Sequence, residues 1–181
     1  MSAAPYYQDR RLLKVGLDIT TSVIKNPESG VVWHYDGHDK NGDGKRQFEE
    51  DMHRSLGSPS IKNGLLFITD FSGLIHCLDA KSGQQHWTLD TFAATWTTPL
   101  IVEDHVYIAN EEGGVIILSL SADSTKSVKI IQNQNPVSES SEPLRLVEIG
   151  QCVYTTPIVA NGVLYIAAKD RLFAIANEPH E

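Results

Sequence analysis

The sequence predicts an all-β protein built from four-stranded antiparallel sheets that repeat along the chain. Three segments share one plan, in which a Ser-Pro or Thr-Pro pair precedes an apolar strand, a polar turn such as Asn63-Gly64, and further strands rich in aromatic and β-branched residues. Their prolines are Pro59, Pro99 and Pro157, and the first two lie 40 residues apart. Four-stranded units with a period near 40 residues are typical of β-propeller blades, each of which is buried only by stacking on its neighbours.

The repeats predict about three blades, an incomplete propeller, within one domain that covers residues 1–181. The stretch "PESGVVWHYDG" has the same layout as "GQQHWTLD", so Trp33 and Trp87 occupy equivalent places in two blades. The predicted pieces, in chain order, are a part-blade of two strands (12–36), an insertion (37–56), a blade (57–92), a blade with a polar insertion at 121–143 (96–150) and a final part-blade of three strands (153–176).

The polar insertion at 121–143 lengthens the second repeat, because Pro99 and Pro157 lie 58 residues apart and the first interval is 40. The insertion is Ser-rich and polar, with one apolar patch at 128–131, which predicts an extended loop or a long hairpin. It is either a tolerated surface insertion or a loop that binds a partner.

A family resemblance rests on the segments "RSLGSPSI", "GLLFITDFSGLIHCLDA" and "VYTTPIVANGVLYIA". Together with "VVWHYD" they resemble the pyrroloquinoline-quinone-type propeller repeat of quinoprotein dehydrogenases and of the non-catalytic outer-membrane assembly lipoprotein. They are most similar to the C-terminal blades of propeller proteins from planctomycete-type bacteria. The resemblance covers residues 12–176 and implies a propeller fold and an extracytoplasmic, periplasmic location. It says little about activity, since this fold hosts many functions.

About three blades are fewer than the roughly four that a closed ring needs. Either N-terminal blades are missing from this chain, or several chains assemble to bury the open sheet faces. An open stack leaves an apolar sheet face exposed, which predicts self-association.

Residues 39–50, "DKNGDGKRQFEE", match the spacing of the twelve-residue EF-hand calcium loop. Calcium prefers six to eight oxygen ligands, and short polar side chains at alternate positions converge on one point. The predicted ligands are the side chains of Asp39, Asn41, Asp43, Gln47 and Glu50 and the backbone carbonyl of Lys45. Asp, Asn and Gly are also common turn residues, but turn preference does not account for a glutamate at position twelve.

The calcium-like loop is predicted to be solitary, without a second EF-hand loop paired with it. Position eight of an EF-hand loop is usually aliphatic, and here it is Arg46. The residues before the loop do not form a helical pattern, although "FEEDMHRSL" after it predicts a short helix. Since Trp33 and Trp87 lie 54 residues apart, the 14-residue excess over the repeat is the size of this loop and its flanks. The motif therefore predicts a loop between two blades that binds one calcium ion and stabilises their connection.

Bulk properties exclude several classes of function. A formal net charge of -8 with no cluster of Lys and Arg argues against a nucleic-acid partner. No apolar run is long enough to span a membrane, and the opening "MSAAPYYQDRRLLK" lacks the apolar core of a secretory signal. The two cysteines, Cys77 and Cys152, have no metal-ligand spacing and are predicted to be buried or half-buried thiols.

The sequence favours a non-catalytic scaffold that binds a protein partner or missing propeller blades. No nucleophile motif, phosphate-binding loop or catalytic carboxylate pair is present, and no adjacent cysteine pair accompanies the repeats. Trp96 is either a channel-facing aromatic that stacks on a cofactor or a blade-packing residue. Pyrroloquinoline quinone is not expected to bind this chain. The alternative is a C-terminal fragment of a quinone-dependent dehydrogenase whose catalytic residues lie on absent blades.

Overall fold

A computed structural model describes residues 30–127 and 145–176. The chain divides into two compact units, residues 1–35 and 36–181. In the first unit, the described residues 30–35 contain no strand, and residues 12–29 of the predicted part-blade lie outside the described residues.

The described part of the second unit consists of eleven strands, a 3₁₀ turn and one helical turn. The 3₁₀ turn is Phe48–Glu50 and the helical turn is Ser124–Ser127. The strands are β1 (Ser60–Lys62), β2 (Leu65–Thr69), β3 (Leu74–Asp79), β4 (Gln85–Asp90), β5 (Leu100–Val102), β6 (His105–Ala109), β7 (Gly114–Ser119), β8 (Arg145–Glu148), β9 (Ile158–Ala160), β10 (Val163–Ala167) and β11 (Leu172–Ile175).

The strands form three antiparallel meanders, as the repeat predicts. The first sheet has the order β1-β2-β3-β4, the second has β5-β6-β7-β8, and the third contains β9, β10 and β11. Two-residue turns join the first two strands of each sheet, and Asn63, Glu103 and Asn161 adopt positive φ angles of 54°, 49° and 53° there. Positive φ matches the twist of a tight hairpin, and asparagine tolerates it well. The predicted partial β-propeller is therefore confirmed.

Two apolar clusters hold the sheets face to face. The first joins the sheet β1–β4 to the sheet β5–β8 through buried residues that include Phe67, Trp87 and Leu118. The second joins β5–β8 to β9–β11 through Val115 and Ile166, among others. Cys77 lies in the first cluster, and burial raises the pKa of its thiol to about 12. Cys152 is half-buried, so the prediction of two buried or half-buried thiols is confirmed.

A row of hydroxyl contacts links the segments that lead into the first strands of the three sheets. The backbone N–H of Ser58 donates to Thr98 Oγ1, and the backbone N–H of Thr98 donates to Thr156 Oγ1, each at 2.9 Å. All three residues directly precede the repeat prolines, and a residue before proline is held in an extended conformation. The Ser-Pro and Thr-Pro pairs therefore carry a contact between blades in addition to marking where each begins.

Candidate functional site

The predicted calcium loop lies on the surface and is closed at its base by backbone contacts. Gly37 and Asp51 form an antiparallel bridge, and the N–H of His38 donates to the Glu50 carbonyl at 2.7 Å. Arg46 forms ion pairs with Asp36 at 2.8 Å and with Asp51 at 2.9 Å. Position eight, where the EF-hand pattern has an aliphatic residue, therefore carries a side chain that clamps the two ends of the loop together.

Side-chain oxygens at the first three predicted ligand positions accept backbone N–H groups within the loop. Asp39 accepts from Gly42 at 2.7 Å and from Gly44 at 2.8 Å. Asn41 Oδ1 accepts from the N–H of Asp43 at 3.0 Å, and Asp43 Oδ1 accepts from Lys45 at 2.7 Å. The N–H of Gly44, followed by that of Gly42, holds the pKa of Asp39 below its ordinary value of 3.8. Asp39 is thus an anion at neutral pH.

Glu50 connects the two halves of the loop. Its Oε1 accepts the N–H of Lys40 at 3.0 Å and its Oε2 accepts the N–H of Gln47 at 2.9 Å. The glutamate at position twelve therefore reaches back to position two, as loop closure requires. The short helix predicted after the loop is limited to the 3₁₀ turn Phe48–Glu50.

The donor atoms of the loop decide which kind of metal ion it suits. Among the described residues, no group of three or more His, Cys, Asp or Glu side chains is arranged to hold a metal ion. An EF-hand site also uses amide and backbone carbonyl oxygens, which Asn41, Gln47 and Lys45 supply by residue type. The donor chemistry fits calcium, a hard cation with oxygen ligands, and the loop ligands stay a prediction.

A cavity of about 660 Å³ separates the calcium-like loop from the outer strand of the first sheet. The loop side of the cavity includes Asn41, Gln47 and Glu50, and the sheet side includes His86 and Thr88 of β4. Three of the predicted ligands therefore face a space that a hydrated ion can enter.

A buried carboxylate fastens the loop to the first sheet. Asp70 Oδ2 accepts the backbone N–H of His53 at 3.0 Å and contacts His76 Nε2 at 3.1 Å, and the side chains of Asp70 and His76 are both 0% exposed. Its Oδ1 accepts the N–H groups of Ser72 and Leu74. The ring of His53 stacks on Phe48 of the loop with centroids 4.1 Å apart.

The Asp70 carboxylate is held ionised despite its burial. Burial disfavours the charge, but hydrogen bonds from His76 and from the N–H groups of His53 and Leu74 outweigh it and keep the pKa of Asp70 below 3.8. A carboxylate has no proton to donate, so His76 donates from Nε2, and its Nδ1 lies 3.2 Å from the Thr88 hydroxyl. Sequence reasoning missed this pair, although Asp70 directly follows a strand and His76 interrupts an apolar one.

A row of aromatic side chains crosses the surface of the three sheets. The Trp96 ring meets Phe71 edge to face at 4.9 Å and Tyr154 at 5.6 Å. The Arg54 guanidinium lies over the Phe71 ring at 5.0 Å, and Trp96 Nε1 donates to Glu111 at 3.1 Å. Trp96 and Tyr154 are 37% and 47% exposed. We call Arg54, Phe71, Trp96 and Tyr154 the aromatic row.

The repeats in the sequence already place Trp96 and Tyr154 at equivalent positions. Each lies two residues before the threonine of a Thr-Pro pair, Thr98 or Thr156. The repeats give no indication of Phe71 or Arg54, because Phe71 belongs to a turn and Arg54 to the segment that precedes the first sheet.

No helix in the part of the chain that the structure describes is long and apolar enough to cross a membrane.

Three solved structures are similar to parts of this chain. The crystal structure of BamB from Moraxella catarrhalis is 18% identical, with a TM-score of 0.39, over 67% of this chain and 46% of that one. A quinohemoprotein alcohol dehydrogenase from Pseudomonas putida HK5 is 14% identical, with a TM-score of 0.47, over 64% of this chain and 17% of that one. A europium-containing methanol dehydrogenase is 27% identical, with a TM-score of 0.31, over 35% and 13%. The chain thus spans less than half the length of each structure.

The family follows from a sequence profile. A search of curated proteins gave no match. The family model described as outer membrane protein assembly factor BamB matches residues 23–148, which is more than half of the chain. The likeness to planctomycete-type proteins stays a prediction. The repeated Thr-Pro strands, the three stacked meanders and this match lead to one conclusion: the chain belongs to the family of PQQ-like propeller repeats that includes BamB.

Proposed function

We propose that the protein is a non-catalytic binding scaffold that acts outside the cytoplasm, in the periplasm, on a protein partner. The aromatic row carries this proposal. Trp, Tyr and Arg are the residues that most often dominate the energy of protein interfaces. Here they lie side by side across three sheets, with Trp96 and Tyr154 partly open to solvent.

The geometry of the row suits binding better than catalysis. Edge-to-face contacts fix the rings of Phe71, Trp96 and Tyr154 before a partner arrives, so little side-chain entropy is lost on binding. The flanking Arg54 and Glu111 offer one charge of each sign for polar contacts at the rim. The family description names an assembly factor for outer membrane proteins, which supports an unfolded outer membrane β-barrel protein as the partner.

The partner proposal predicts weaker binding when the row is truncated. Trp96→Ala is expected to weaken binding of a fluorescently labelled, freshly diluted outer membrane β-barrel protein by at least about tenfold, because a central interface tryptophan is worth about 2 kcal/mol. Fluorescence anisotropy gives the two dissociation constants. Phe92→Ala is the matched control, since Phe92 is an aromatic residue that is 86% exposed and lies outside the row.

Two results would contradict the scaffold. One is an equal loss of binding in the Trp96 and Phe92 variants, which would mean that the row has no special role. The other is dye-linked oxidation of an alcohol or sugar by the full-length gene product after reconstitution with pyrroloquinoline quinone and calcium, which would favour the dehydrogenase alternative.

We further propose that residues 39–50 bind one calcium ion, with a stabilising role. The ligands are the side chains of Asp39, Asn41, Asp43, Gln47 and Glu50 and the carbonyl of Lys45. A bound cation would offset the repulsion among three carboxylates on one short loop. Because the end of the loop is fastened to Asp70 through His53, ordering the loop would also hold the first sheet. With three carboxylates and no partner hand, the expected dissociation constant is about 10 μM to 1 mM.

The calcium proposal predicts a thermal shift that depends on Glu50. Calcium at about ten times its dissociation constant stabilises a protein by about 1.4 kcal/mol, which raises the melting temperature by a few degrees. Glu50→Gln is expected to abolish most of this rise in differential scanning fluorimetry and to remove the heat of binding in calorimetry. Glu49→Gln, the neighbouring exposed carboxylate, should behave like the wild-type chain. No heat and no thermal shift at millimolar calcium would exclude the site.

A further inference from the structure

The two ends of the calcium-like loop are joined by one arginine side chain. Arg46 Nη1 lies 2.8 Å from Oδ1 of Asp36, which precedes the loop, and Arg46 Nε lies 2.9 Å from Oδ1 of Asp51, which follows it. The two contacts use different nitrogen atoms of the planar guanidinium group, so one side chain spans both ends at once. Such a bridge fixes the distance between the segments that enter and leave the loop.

The arginine bridge lies close to the backbone of Glu50, the proposed ligand at position twelve. The carbonyl oxygen of Glu50 accepts the N–H of His38 at 2.7 Å. A Cβ atom on Gly37 would clash with that oxygen and would lie 3.0 Å from Arg46 Nη1. Because Asp51 directly follows Glu50 in the chain, its ion pair with Arg46 also limits where the Glu50 carboxylate can lie.

Position eight of a paired EF-hand contacts the second loop, whereas here it contacts the ends of its own loop. We infer that Arg46 is a positioning residue for calcium, which holds the loop ends in the arrangement that binds the ion and so takes over the role of a second loop. The inference rests on the calcium site proposed above at residues 39–50. Arg46 is not itself a ligand, because a guanidinium group has no acceptor atom to offer a cation.

The charge of Arg46 and its bridging contacts have opposite effects on calcium affinity. A positive charge beside the loop repels calcium, so its removal would by charge alone tighten binding by about twofold, the size of a screened interaction at a protein surface. Loss of the bridge leaves the loop ends to be ordered when the ion binds, and that cost weakens binding. The sign of the change in affinity therefore tells which effect is larger.

The bridge should affect calcium affinity far more than the stability of the fold. The side chains of Arg46, Asp36 and Asp51 are 37%, 66% and 40% exposed, and ion pairs this open to solvent add little to stability. The backbone bridge between Gly37 and Asp51 does not involve the arginine. A variant without Arg46 is therefore expected to fold, and to melt within about 2 °C of the wild-type chain when calcium is absent.

Isothermal titration calorimetry of the full chain with calcium chloride tests the inference. Arg46→Leu restores the aliphatic residue of the EF-hand pattern, yet it is expected to weaken calcium binding by about tenfold. Lys40→Leu is the matched control, because it removes the same charge from an exposed position on the same loop. This control should bind calcium as tightly as the wild-type chain, or about twofold more tightly.

Asp36→Asn breaks one half of the bridge and provides an independent test. Since the bridge needs both ends, this variant should weaken calcium binding by about fivefold, and Arg46→Leu should add little to that loss in the double variant. Melting curves without calcium verify that every variant folds.

Two results would overturn the inference while leaving the calcium site intact. One is an Arg46→Leu variant that binds calcium at least as tightly as the wild-type chain, and the other is a double variant in which the two losses add fully. A wild-type chain that binds no calcium would overturn the site and the inference together.

Discussion

Asp70→Ala is expected to destabilise the protein by about 3–5 kcal/mol, because it leaves several buried donors without an acceptor and each unsatisfied buried group costs about 1–3 kcal/mol. The substitution leaves His76 buried with its Nε2–H donor unsatisfied and removes the acceptor for the N–H groups of His53, Ser72 and Leu74. Urea unfolding followed by tryptophan fluorescence measures the loss. Asp104→Ala, at an exposed turn aspartate, should stay within about 0.5 kcal/mol of the wild-type value.

The same substitution changes how stability depends on pH. The pKa of Asp70 is lower in the folded chain than its ordinary value of 3.8, so the folded state favours the ionised form. Its contribution is therefore complete above that value and is lost as the pH falls through the folded-state pKa. The stability gap between wild-type and Asp70→Ala chains should narrow below about pH 4. A gap that stays constant down to pH 2, roughly the lower end of depressed Asp values, would mean that the carboxylate charge is not what stabilises the turn.

Gly113→Ala is expected to cost about 2–4 kcal/mol, since two separate penalties coincide at this turn. Gly113 has a φ of +93°, and a Cβ atom there would lie 2.5 Å from the Gln151 carbonyl oxygen and 2.8 Å from its nitrogen. Both contacts are to backbone, which cannot rotate away as a side chain can. Gly73, one repeat earlier, has a φ of +95° and meets the Ala93 carbonyl in the same way. The close approach is thus a property of the junction between neighbouring sheets.

Gly162→Ala separates the two penalties. Gly162 has a φ of +75°, but no atom lies within 4 Å of the position its Cβ would take. This variant should lose only the conformational part, about 1 kcal/mol. Equal losses in the two variants, measured by the same urea unfolding, would show that the approach of Gln151 to the turn is not tight enough to matter.

The fold was predictable because its signals are local and repeated. Each two-residue turn and each residue before proline specifies its own short stretch of backbone, and three copies of this pattern along the chain identify the blade. The calcium-like loop is equally local, since its ligand spacing lies within twelve residues. The structure adds the ion pairs of Arg46 with Asp36 and Asp51. They give a structural role to this arginine, which stands where the EF-hand pattern has an aliphatic residue.

The aromatic row and the Asp70–His76 pair could not be predicted, because each depends on where the sheets bring distant residues. Phe71 and Trp96 lie 25 residues apart and belong to a turn and a connecting segment, which carry no periodic signal. In the sequence, His76 is one polar residue in an apolar strand. Only the folded turn shows that Asp70 lies beside its ring. Such pairings are set by tertiary contacts, which local patterns do not encode.

The row of hydroxyl contacts has an evolutionary consequence. The segment that joins one hydroxyl to the next is 40 residues long in one case and 58 in the other, yet the N–H to Oγ1 distance is 2.9 Å in both. The contact between neighbouring sheets is therefore the same for a short and for a long intervening segment. A gene coding for such a chain can therefore acquire or lose sequence between repeats, or duplicate a whole repeat. Each new sheet would pack on its neighbour through the same hydrogen bond at its Ser-Pro or Thr-Pro pair.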